Sequence, residues 1–165
     1  MRFTLVDRIL EVEPGRRIRA LKNLTLGEEY LSDHFPTFPV MPGVLMLQTL
    51  VEAGSWLLRL TEDFRHSVIT LKEAKNVKYG HFIEPGRQLV VTAELTEFDK
   101  NVVSFKAKGD VEGQQAVGAR VSLVRYSLRD RDESLAALDE RLVSHWRRLY
   151  MVLKGEQSKA LASEA

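Results

Sequence analysis

The stretch Asp33–Trp56, DHFPTFPVMPGVLMLQTLVEAGSW, changes character halfway along. Its first half carries Pro36, Pro39 and Pro42 and closes on Gly43. Proline cannot continue a helix but suits its first turn, so Pro42-Gly43 is a natural entry point. The segment Val44–Leu60 that follows is apolar nearly all round: Val44, Leu45, Met46, Leu47, Leu50, Val51, Ala53, Trp56, Leu57 and Leu58. A helix without a wide polar face is buried on most sides. It is interrupted by Gln48, Glu52 and Arg59 and is short for a membrane span, which predicts a central core helix.

Outward from this helix the pattern turns strand-like. Residues 3–26 form one such region, broken by the turn signal Glu13-Pro14-Gly15, with Ile18 and Ala20 set among Arg16, Arg17 and Arg19. On the other side, Val68–Tyr79 and Gln88–Phe98 read as strands, parted by Pro85-Gly86. Asp99-Lys100-Asn101 reads as a hairpin turn into Val102–Lys108, and Glu112-Gly113 as a second turn into Gln115–Leu128. Four antiparallel strands after one buried helix and an N-terminal strand predict an α+β fold, a sheet wrapped around that helix. From Asp130 the composition becomes charged, and Leu135, Leu138, Leu142, Trp146, Leu149 and Leu153 recur at helical spacing. This predicts an amphipathic helix, capped by Asp132 and packed on the outer sheet face or on another subunit. The expected organisation is a domain over residues 1–128, a helical extension over 129–155 and a frayed tail over 156–165.

The totals narrow the function classes. A chain of 165 residues is about one domain long, and 44% hydrophobic with 28% charged residues is ordinary for a globular protein. A net charge of +1 gives no pull toward nucleic acid or an anionic membrane, so neither is expected as a partner. With no cysteine there is no thiol nucleophile and no Cys-based zinc site. Asp7 interrupts the N-terminus before a signal-peptide core can form, and no apolar run approaches a span, so a cytoplasmic protein is expected. His66, His81 and His145 lack metal-ligand spacing, and Ser55 lacks the Gly-x-Ser-x-Gly elbow of a serine nucleophile. Arg16, Arg17, Arg19 and Lys72, Lys75, Lys78 read mainly as solvated faces, with attraction of an acidic partner the other reading.

The ordered set His34-Phe35-Pro36, a short proline-rich loop, Pro42-Gly43-Val44-Leu45 and then a buried helix resembles the signature of the 3-hydroxyacyl-[acyl-carrier-protein] dehydratases of the FabZ and FabA types. Leu5-Val6-Asp7-Arg8, Leu21-Lys22-Asn23 and the segment from Val77-Lys78 to Pro85-Gly86 extend the resemblance over roughly residues 3–127. It implies the hot-dog fold, at least a homodimer, no metal and no organic cofactor. The implied partner is acyl-carrier protein, its phosphopantetheine-linked acyl chain lying in an apolar tunnel beside the central helix. The implied activity is dehydration of 3-hydroxyacyl thioesters to 2-enoyl thioesters in fatty-acid or related lipid synthesis.

Such a reaction needs a base for the α-proton, an acid for the departing β-hydroxyl and donors for the enolate-like oxygen. His34 matches the family's catalytic histidine, and an imidazole can take up a proton near neutral pH. Phe35, Pro42, Gly43 and Val44 are implied to bind the substrate, the last two through backbone N–H groups at a helix N-terminus. The chain departs from the family at the second catalytic position. The carboxylate expected fourteen residues after the histidine is Gln48, and Glu52 stands one turn later, where many relatives carry glutamine. The two positions share a helix face, about 6 Å apart along the axis. Three accounts stay open: Glu52 supplies the acid, Gln48 orients a water or substrate for another reaction such as thioester hydrolysis, or the site binds acyl thioesters without turning them over. Across a dimer interface, His34 of one subunit is expected to face position 48 or 52 of the other.

Overall fold

The computed structural model describes residues 4–155. The tail expected to fray, 156–165, and residues 1–3 lie outside them. Six strands form one sheet: β1 (Arg8–Glu13), β2 (Arg17–Asn23), β3 (Val68–Tyr79), β4 (Gln88–Phe98), β5 (Val102–Val111) and β6 (Gln114–Tyr126). Their spatial order is β1-β2-β4-β5-β6-β3, with every neighbouring pair antiparallel. Helix α1 (Gly43–Thr61) lies between β2 and β3 in the chain, and α2 (Ala136–Lys154) follows β6. The N-terminal region therefore gives two strands rather than one, because Pro14 and Gly15 fold it into a hairpin. The Glu112-Gly113 turn takes φ of 50° and 82°, the left-handed pair that a two-residue hairpin requires.

Alternation along the strands produces the core. Ile18 and Ala20 of β2, Leu89, Val91 and Ala93 of β4, Val103, Phe105 and Ala107 of β5, and Val121 and Leu123 of β6 are all buried. They close on α1, whose Leu50, Ala53, Leu57 and Leu58 are fully buried. Burying each such leucine stabilises the fold by about 1.5–3 kcal/mol. Lys22 follows the inward alternation of β2, and its ammonium meets Glu28 at 2.6 Å and Asp7 at 3.7 Å. Strand β3 sits at the edge and is interrupted by register shifts between Leu71 and Glu73 and between Lys75 and Lys78, with Asn76 at φ 53°. Bulges and lysines of this kind blunt an open sheet edge.

Helix α2 packs on α1, the α1–β3 connection and the edge strand β1. Trp146 meets Trp56 edge to face at 5.9 Å, and its indole N–H donates to the Ser67 carbonyl at 3.1 Å. Tyr150 lies against Trp56 and Phe64, and Leu153 is buried. Of the apolar stripe read from the sequence, Trp146, Leu149 and Leu153 join the core, whereas Leu138 is exposed. Asp132 caps a short 3-10 turn, Glu133–Leu135, by accepting from the Ser134 N–H, so it serves the approach to α2 rather than its first turn. A buried Asp139 anchors the start of the helix, accepting from the Leu128 N–H at 2.7 Å and from the Arg129 guanidinium at 2.9 Å. No helix among the described residues is long and apolar enough to cross a membrane.

Candidate active site

His34 is placed by a closed loop. Its N–H donates to the Tyr30 carbonyl at 3.1 Å, and its own carbonyl accepts from Val40 N–H at 3.3 Å. The His34–Phe35 peptide is cis. Nδ1 of the ring lies 3.0 Å from the Val40 carbonyl. A carbonyl only accepts, so Nδ1 is the donor of this contact, and in the neutral ring the lone pair falls on Nε2. The ring lines a cleft of about 340 Å³ together with Phe35, Met41, Gly43, Tyr79 and His81. Met41 N–H donates to the carbonyl of the fully buried Ile83 at 2.9 Å, pinning the two loops of the cleft together.

The cleft opens on the first turn of α1. Pro42 caps the helix in extended conformation, and its carbonyl accepts from the Leu45 and Met46 N–H groups. The N–H groups of Gly43 and Val44 have no acceptor within the helix, as at any helix start, and carry its partial positive charge. A Cβ on Gly43 would sit 3.0 Å from the Tyr79 ring, so this glycine admits an aromatic side chain of β3 as well as any ligand. Val44 is 70% exposed and is not among the residues lining the cleft.

Gln48 and Glu52 lie elsewhere. They line a second cleft, of about 310 Å³, between α1, β3 and α2. One subunit therefore keeps His34 apart from both of them. The Glu52 carboxylate accepts the Leu5 N–H at 2.7 Å and the Val6 N–H at 3.3 Å through one oxygen, which ties the N-terminal segment to the helix. Burial raises its pKa, against the pull of those donors and of the Arg59 charge. Ser55 is a core residue whose hydroxyl donates back to the Val51 carbonyl. His81 borders the His34 cleft. Tyr79 and Phe82 border it too and were not anticipated; the signal for them was an aromatic residue on either side of Gly80-His81. Arg16, Arg17 and Arg19 pair with Glu11 and Glu13 of the same hairpin, which leaves little net charge there. Among the described residues no three His, Asp or Glu side chains gather as a metal would require.

A six-stranded antiparallel sheet around one buried helix, with a histidine loop at the helix N-terminus, defines a hot-dog protein. The fold matches a dehydratase heterocomplex, ApeI:P, from Xenorhabdus doucetiae with a TM-score of 0.64 at 13% identity, covering 81% of this chain and 90% of that one. A mutant thioesterase from Pseudomonas aeruginosa matches with a TM-score of 0.57 at 14% identity over 72% of this chain and 80% of that one. In sequence, residues 1–120 match the model of the FabA-like domain. A 3-hydroxyacyl-[acyl-carrier-protein] dehydratase FabZ of Albidiferax ferrireducens is 39% identical over 124 residues, 73% of this chain and 82% of that protein. The FabZ of Wolbachia pipientis is 33% identical over 122 residues, 74% and 85% of the two chains. The chain belongs to the FabA-like family, of which α2 lies outside the matched region.

Proposed function

We propose that the protein dehydrates 3-hydroxyacyl thioesters of acyl-carrier protein to 2-enoyl thioesters in fatty-acid or related lipid synthesis. The observation that carries this reading is the His34 ring, with Nδ1 committed to the Val40 carbonyl and Nε2 available in a cleft beside the N-terminus of α1. The thioester carbonyl accepts from the Gly43 or Val44 N–H, which stabilises the enolate-like oxygen as the α-proton moves to Nε2. The C–O bond to the β-hydroxyl then breaks, and the hydroxyl leaves as water with a proton returned from the imidazolium. Gln48 has no acidic proton to give, so its part is to hold the hydroxyl by a hydrogen bond. Glu52 is assigned to structure, since backbone donors already engage it.

The same reading takes the protein to be cytoplasmic and homodimeric, with residues 1–128 as the hot-dog unit and 129–155 as its extension. Separation of His34 from Gln48 within one subunit supports a site completed by a second copy. So do the open edge of β3 and the exposed apolar residues Phe35, Phe38, Tyr79 and Phe82 around the His34 cleft. The missing acid favours one other reading, a protein that binds acyl thioesters without dehydrating them.

The test follows conjugated enoyl product from a 3-hydroxyacyl thioester with the unmodified protein and with His34→Ala, Gln48→Glu and Glu52→Gln. Turnover abolished by His34→Ala, retained by Glu52→Gln and raised by Gln48→Glu is the expected pattern. Binding without product removes the dehydratase reading in favour of the binder, and thiol release without an enoyl product indicates a thioesterase.

A further inference from the structure

Four polar residues of α1 fall on one stripe. Gln48, Glu52, Ser55 and Arg59 recur at helical spacing and all line the second cleft, which runs from Gln48 to Arg59. Eleven residues of helix span about 16 Å. At the far end Arg59 is only 6% exposed, its guanidinium stacked 4.1 Å over the Trp146 ring and 5.5 Å from Trp56. The Trp146 ring lies over one face of the guanidinium and the two indoles stand edge to face, which leaves its hydrogen-bonding edge. Nε is buried without a partner, and among the described residues no carboxylate lies within ion-pair distance of the guanidinium. Arg125, Arg129 and Arg147 all have such partners, in Glu62, Asp139 and Asp63. Glu52 acts on Arg59 through its charge, but its hydrogen bonds go to Leu5 and Val6. Burial lowers the Arg59 pKa to about 10, which still leaves a cation at neutral pH.

A guanidinium whose Nε is buried without an acceptor is costly, and an alkyl terminus laid against it would leave it so. A carboxylate matches its fork with two parallel hydrogen bonds. We propose that Arg59 recognises the far end of the acyl chain, and that the preferred substrates carry a carboxylate there. This inference rests on the proposed function, in which Gln48 of a second copy meets the substrate held at His34, and names the substrate class.

The experiment titrates the full-length protein with two saturated acyl-pantetheine thioesters of equal length, one ending in methyl and one in carboxylate. Turnover of a 3-hydroxybutyryl thioester, too short to reach Arg59, is followed in parallel. The carboxylate-ended ligand is expected to bind on the order of tenfold or more tightly. Its advantage should fall to near unity in Arg59→Met and survive in part in Arg59→Lys. Equal binding of the two ligands by the unmodified protein overturns the inference, as does a preference that persists in Arg59→Met. Should Arg59→Met not fold, the unmodified protein and Arg59→Lys decide by the same comparison. Turnover of the short thioester without a carboxylate preference removes this inference and leaves the dehydratase reading standing. A preference without that turnover does the reverse.

Discussion

The Glu52 carboxylate accepts the Leu5 backbone N–H at 2.7 Å, so a charged group on the core helix holds a segment 47 residues away in the chain. Burial is the larger influence on this group and lifts its pKa above the ordinary glutamate range. A carboxyl whose folded pKa exceeds its unfolded one contributes stability that is fully present below the unfolded value. That contribution is lost as pH rises through the folded value. Denaturant unfolding across this window should show stability falling with pH in the unmodified protein. Glu52→Gln keeps an acceptor for Leu5 and should flatten that part of the curve. An unchanged slope would assign the titration to another group.

Gly80 directly follows β3, where the chain enters the loop bearing His81 and Phe82. Its N–H donates to the Ala116 carbonyl, and a Cβ there would collide with the Gln115 carbonyl oxygen. The obstruction is backbone and cannot swing aside. Gly80→Ala should cost about 1–3 kcal/mol in chemical denaturation and disturb the His34 cleft with it.

Gly43 presents the opposite case. A methyl there meets the Tyr79 ring at 3.0 Å, and that ring is half exposed and free to turn. Gly43→Ala should therefore keep the fold while lowering dehydration. Combining it with Tyr79→Ala should recover part of the loss if the ring was the obstacle. A double-mutant cycle on kcat/KM measures that coupling.

The docking of α2 rests on Trp146, through the Trp56 contact and the bond to the Ser67 carbonyl. Trp146→Ala removes both and should destabilise the protein by about 2–4 kcal/mol, read by thermal and chemical denaturation. Because Trp146 also stacks on Arg59, the variant should loosen the far end of the second cleft before the sheet is affected.

Much of this was legible in the sequence because it depends on local rules. Proline at the entry of α1 and strict alternation in β4 and β5 each fix their element with little help from elsewhere. The His34 loop was legible through its motif. What remained hidden depends on distant contacts. The docking surface of α2 is set by Trp56 and Phe64, far from it in the chain, and no periodicity of α2 names them. Glu52 showed its position but not its partners, since backbone donors leave no mark on side-chain pattern. Arg59 was visible as an interruption of an apolar helix, and its alignment with Gln48 and Glu52 was the signal that went unused.

The chain has two tryptophans, Trp56 and Trp146, and both contact the Arg59 guanidinium. Tryptophan emission from the unlabelled protein therefore originates at a single place. A ligand that draws Arg59 away from the indoles would change their quenching, and detachment of α2 would shift the spectrum toward the red as they meet water. The protein carries its own optical gauge at the far end of the second cleft, usable in titration or stopped flow without a dye.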